Sequence, residues 1–104
     1  MFLKKIVETN RSFVDTCFKM HQSGEILPDS YVIDMEALRE NAKKIYEQAK
    51  SQNIDVYFML KQIGRNPMIA KELVEIGYKG AVVVDFKEAA VMMRHNIPIA
   101  NVGH

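Results

Sequence analysis

Hydrophobic spacing changes character near residue 30 of this chain. Before that point it is helical. Leu3, Ile6 and Val7 make one stripe, and Phe13, Val14, Cys17 and Phe18 make a second at i, i+1, i+4 and i+5. The pattern predicts helix from about residue 2 to about residue 23, broken at Thr9-Asn10, with Asn10 or Ser12 as a new N-cap. Gly24 is the stop, and Pro28-Asp29-Ser30 is turn chemistry.

After the turn, short apolar runs alternate with helical stripes. Tyr31-Val32-Ile33-Asp34 is a first strand, followed by a helix with Leu38, Ala42, Ile45, Tyr46 and Ala49 on one face. A second strand runs from about Asp55 to Lys61. Asn66-Pro67 opens the next helix, with proline at the first helical position, and its face is Ile69, Ala70, Leu73 and Val74 before Gly77. Gly80-Ala81-Val82-Val83-Val84 is a third strand. Asp85 caps a third helix, with Phe86, Ala89, Ala90 and Met93 on its apolar side. His95-Asn96 ends that helix, and residues 97–102 make a fourth strand.

The order is β-α-β-α-β-α-β. Its strands are continuous apolar runs, the signature of a parallel sheet covered on both faces. Doubly wound sheets and (β/α)₈ barrels share that local pattern. A full barrel takes about 250 residues, so 104 residues amount to roughly half of one. Four strands alone would leave two edges and part of an apolar face open. The expected fold class is therefore α/β: a partial parallel (β/α) barrel of about four strands in residues 26–104, preceded by an N-terminal helical extension in residues 1–25. Such a chain is expected to be a fragment or a partner to further chain.

Composition narrows the function. Hydrophobic residues are 48% and charged residues 26%, ordinary for a globular chain. A net charge of +1, with no basic tract, argues against a dedicated nucleic-acid binder. Cys17 is the single cysteine, so no disulfide framework exists within one chain, as in a reducing cytoplasm. No apolar run reaches the roughly 18 residues of a membrane span, and the N-terminus lacks a signal-peptide core. A cytoplasmic location is expected.

In parallel α/β folds, ligands meet the C-terminal ends of the strands. That rule selects Asp34, residues 61–66, Val84-Asp85 and Gly103-His104. Lys61 stands out, because it closes the apolar stretch Val56-Tyr57-Phe58-Met59-Leu60. A lysine delivered there by a buried strand sits partly out of water, which favours the neutral amine a Schiff-base nucleophile needs. The plainer reading of a strand-end lysine is a solvated surface group. Asp34 and Asp85 each precede a helix and suit capping. His95 lies near a helix C-terminus, where the dipole favours a cation, and His21 sits on the N-terminal helical stretch. His104, at a strand end, is the histidine placed to touch a ligand. Gly64 alone makes no phosphate cradle. No Cys/His cluster has metal-ligand spacing, and the seven methionines suit core filling.

Several motifs resemble a known family. Tyr31-Val32-Ile33-Asp34 with Leu38, Asn41 and Ala42 is similar to the first strand and helix of the alanine-racemase N-terminal domain family. Those are fold-type III pyridoxal-phosphate (PLP) enzymes built on a (β/α)₈ barrel. Lys61 in Met59-Leu60-Lys61 matches the family lysine that holds PLP as an internal aldimine. Ala70, Leu73 and Gly77, and then Asp85, Glu88 and Ala89, follow in the family's order, so residues 26–104 are covered. Lys61-Gln62-Ile63-Gly64-Arg65-Asn66-Pro67, Gly77-Tyr78, Val84-Asp85-Phe86-Lys87-Glu88-Ala89 and Gly103-His104 resemble the YhfX-type branch in particular.

The resemblance implies a PLP-dependent enzyme acting on an amino acid or related amine, racemase- or epimerase-like, with Lys61 as Schiff-base lysine and α-proton base. Aldol cleavage and decarboxylation are alternative reactions. Alanine racemases carry a phosphate-touching tyrosine four residues after their lysine. Here Arg65 stands there, suited to a phosphate or carboxylate. Val102-Gly103-His104 also resembles the fourth strand end of single-domain PLP-homeostasis proteins, which makes His104 a cofactor contact. The second racemase base comes from a C-terminal domain outside these residues, usually of the partner in a homodimer. The 104-residue chain alone is therefore expected to bind PLP poorly and to be inactive. Two rival readings remain at this point: a PLP carrier without catalysis, and an orphan half-barrel serving as an interaction domain.

Overall fold

Asn10 divides the N-terminal helices, as its side chain predicts. In the computed structural model, which describes residues 2–103, α1 spans Phe2–Thr9 and α2 spans Arg11–Gln22. The Phe13 N–H donates to Asn10 Oδ1 at 3.2 Å, closing the first turn of α2. Asn10 Nδ2 donates to Asp34 Oδ2 at 2.9 Å. That bond ties the junction of α1 and α2 to the last residue of the first of two compact units, Met1–Asp34.

Residues 31–34 form no strand. A β-branched run becomes a strand only when an edge pairs with it, and nothing in the described residues does so here. Tyr31 is 79% exposed. The stretch expected to open the parallel layer thus lies with the helical extension.

The second unit, Met35–His104, holds the parallel layer. Its elements are α3 (Met35–Ser51), a 3-10 turn (Lys61–Ile63), α4 (Pro67–Ile76), β1 (Ala81–Val83), α5 (Phe86–Arg94) and β2 (Ile99–Val102). Caps set the helix starts. Asn66 accepts from the Met68 N–H at 2.8 Å with Pro67 behind it, and Asp85 accepts from the Glu88 N–H at 2.8 Å. Gly77, at φ 134°, ends α4 in a conformation that glycine tolerates.

β1 and β2 pair in parallel, with a register irregularity between Ala81 and Val82. Phe58 bridges Ala81 on the other edge, also in parallel. The Lys79 N–H donates to Val56 O at 2.9 Å, the Phe58 N–H to Gly80 O at 3.1 Å, and the Val82 N–H to Phe58 O at 2.8 Å. The order is therefore the Phe58 segment, β1, β2. α4 and α5 supply the two crossovers that parallel neighbours require.

One face of this layer packs against α4 and α5. Phe58, Leu60, Ala81 and Val83 are buried, with Ile69, Ala70 and Leu73 of α4 and Ala89 and Met92 of α5. Fully burying a side chain such as Val83 or Met92 contributes about 1.5–3 kcal/mol. Tyr57 and Met59 alternate with buried neighbours and are about half exposed. The continuous burial expected of these strands is thus replaced by alternation. In α5 the buried face is Glu88, Ala89 and Met92, whereas Phe86, expected in the core, is 84% exposed.

Candidate functional site

The C-terminal ends of the Phe58 segment and of β1 converge on one carboxylate. Past Phe58 the chain does not continue as a strand to Lys61. Leu60 O accepts the Ile63 N–H at 3.1 Å and the Arg65 N–H at 3.0 Å, which curls residues 60–65 into a turn. Gly64 and Arg65 are both left-handed, at φ 81° and 54°. Lys61 opens the 3-10 turn and is exposed. The expectation of a strand-end lysine withdrawn from water is corrected on both counts. The curl at Leu60 lifts Lys61 out of the layer, and no chain among the described residues covers it.

Arg65 makes the contact that joins this turn to its neighbour. Its Nε donates to Glu88 Oε2 at 3.0 Å, and the Val84 N–H at the end of β1 donates to the same oxygen at 3.2 Å. The Glu88 side chain is only 1% exposed, against 42% for Arg65. Three pieces of chain, the Lys61–Arg65 turn, the end of β1 and the start of α5, therefore meet at Oε2. The other oxygen, Oε1, is buried with no hydrogen-bond partner among the described residues. Charge-assisted bonds to a buried carboxylate are among the stronger polar contacts, and breaking one leaves an uncompensated charge.

Of the residues singled out in the sequence, Lys61 and Arg65 share one turn at this end. Arg65 is already engaged through Nε, so only its terminal nitrogens are open to an anion. His104 lies outside the described residues. Val84 and Asp85 frame the start of α5, with Asp85 in its capping role. Gly103 N–H donates to Val83 O at 2.8 Å and continues the β1–β2 ladder. Sequence reasoning gave Glu88 no role at the site. Its signal was there: Asp85 and Glu88 stand at the N-cap and N3 spacing of a capping box. Glu88 reaches back one residue further, to the Val84 N–H.

Among the described residues no three His, Cys, Asp or Glu side chains gather as a metal site requires. No helix there is long and apolar enough to cross a membrane.

No protein-family model matches this chain. Over its whole length it is 42% identical to the uncharacterized protein YhfX of Escherichia coli (strain K12), of which it covers 27%. Identity of that extent marks the two as homologous, and the chain spans about a quarter of that relative's length.

Proposed function

We propose that this chain contributes the opening part of a pyridoxal-phosphate-binding (β/α) barrel, in an enzyme that racemises or epimerises an amino acid or related amine. The observation that carries the reading is the placement of Lys61. It is an exposed primary amine with no ion pair among the described residues, at the C-terminal end of a parallel layer, where ligands of such folds bind. The resemblance of the surrounding motifs supports the cofactor. The one-sided burial of the layer supports a barrel completed by further chain, and the greater length of the bacterial relative is consistent with that.

The residues present fit part of the cofactor. Lys61 offers an exposed amine for its aldehyde, and the same turn leaves open space at Gly64, where an added Cβ would meet nothing within 4 Å. Arg65 offers its terminal nitrogens to a phosphate or a substrate carboxylate, with Nε held by Glu88. Most of the phosphate grip belongs to later strands, as is common in barrels. When bound, pyridoxal phosphate supplies an electron sink for charge developing at the substrate α-carbon. Lys61 Nζ would hold the aldehyde end of the group and, once released by the substrate amine, would serve as the base for the substrate α-proton.

The test is reconstitution of the full-length protein with pyridoxal phosphate, reduction with borohydride and mapping of the adduct. Label on Lys61 is expected. Label on another lysine, or none, ends the proposal. Assays of D- and L-amino acid interconversion then separate an enzyme from a carrier, which would label Lys61 without turnover.

A further inference from the structure

Glu88 is buried where α5 does not need it. Asp85 already closes the start of that helix, accepting the Glu88 N–H at 2.8 Å. A second carboxylate placed there only for the helix would sit in water, since burial costs it hydration unless it is paired. Glu88 instead spends Oε2 on two donors from other segments, Arg65 Nε and the Val84 N–H. Oε1 is left buried and without a partner among the described residues.

What the carboxylate holds is the turn. Arg65 is a non-glycine residue at φ 54°, a conformation that persists in an L-residue only when its surroundings fix it. Arg65 is fixed at both ends, by its N–H to Leu60 O at 3.0 Å and by its side chain to Glu88 at 3.0 Å. Lys61 lies between Leu60 and Arg65, so the direction of its Cα–Cβ bond follows from this closure.

We infer that Glu88 is a positioning residue for Lys61: by clamping Arg65 and the Val84 N–H, it fixes the turn that aims the Lys61 amine. This role rests on the reading of Lys61 as the cofactor-binding amine. It also makes Arg65 a strut before it is an anion ligand.

Two mild substitutions test it in the full-length protein. Glu88→Gln keeps the shape and removes the charge. Arg65→Lys keeps the charge beside Glu88 and loses the fixed planar donor. Each protein is exposed briefly to pyridoxal phosphate, reduced with borohydride, and its label mapped by peptide. Amide hydrogen exchange at Ile63 and Arg65 is read in parallel. The expected result is a fall of about tenfold in the rate of labelling at Lys61, with labelling of other lysines and the far-UV spectrum unchanged, and faster exchange of the two turn amides. Lys61 preference that survives both substitutions overturns the role of Glu88 and leaves the functional reading standing. Absence of any Lys61 preference in the unaltered protein overturns the functional reading, and this role with it.

Discussion

Replacing Tyr78 with phenylalanine probes the joint between α3 and the strand layer. Tyr78 is buried, and its hydroxyl donates to Ala42 O at 3.0 Å. Its ring stands 6.3 Å from Tyr46 and 6.3 Å, edge-on, from Phe58. Tyr78→Phe keeps both ring contacts and deletes one buried hydrogen bond. Ala42 lies inside α3, where its carbonyl also belongs to the helical ladder, so that oxygen is not orphaned. The cost is therefore about 1 kcal/mol, the middle of the range for a net hydrogen bond.

The cost should depend on pH in one direction. Burial pushes the Tyr78 phenol above its ordinary value of 10.0. Below that value both folded and unfolded chains carry the proton, and the tyrosine's contribution is fully present. Above it the unfolded chain ionises first, and the contribution is lost as pH rises towards and through the folded pKa. The gap therefore shrinks as pH rises above 10. Urea unfolding of the two proteins side by side measures the gap, since other titrating groups cancel. A gap near 1 kcal/mol at neutral pH that shrinks above pH 10 is expected. A gap that stays constant up to about pH 11, or no gap at neutral pH, refutes the reasoning.

Other sites give sharper single outcomes. A Cβ at Gly80 would sit 2.8 Å from Pro98 O, backbone that also accepts the Ala81 N–H at 2.8 Å. Gly80→Ala should therefore destabilise by about 1–3 kcal/mol, read as a lowered urea midpoint. Arg39 and Glu72 form a two-pronged pair between α3 and α4, at 2.9 and 2.8 Å. The hydrogen bonds from Arg39 hold the Glu72 carboxyl below its ordinary value of 4.5. Its contribution is present above that value and lost as pH falls through the lowered one. Arg39→Met should flatten the acid side of the stability profile, and an unchanged acid limb would show that the pair is inert.

Local chemistry made most elements of the second unit legible. Asn66, Asp85 and Gly77 act through their own backbone preferences, so their capping and stop signals appear where the sequence puts them. Asn10 does the same for α2. What local pattern did not carry was pairing and facing. Residues 31–34 have strand composition but no edge beside them. Phe86 has core composition, yet Glu88 takes a buried position on α5 because Arg65 and the Val84 N–H are there to receive it. Partners separated by 23 residues in sequence, as Arg65 and Glu88 are, leave no periodic trace. The same holds for Lys61. Its position after an apolar run is visible, while the curl that exposes it depends on Leu60 O capturing two amides.

Under the proposed function, the exposure of Tyr57 and Met59 and the exposure of Lys61 have one cause. Tyr57 and Met59 project on the side of the layer opposite Phe58 and Leu60, and Lys61 leaves the same segment two residues after Met59. Closing further strands around that side, as the proposed barrel requires, would bury Tyr57 and Met59 by the hydrophobic effect. It would also exclude water from the mouth where Lys61 stands. Stability of the layer and enclosure of the amine would then arrive together. The position of Lys61 does not wait for that closure, because Glu88 and Arg65 already hold its turn from within this chain. Under the proposed function, aim and enclosure are separate contributions. Loss of the clamp should misdirect an enclosed lysine, and loss of the covering strands should expose a correctly directed one.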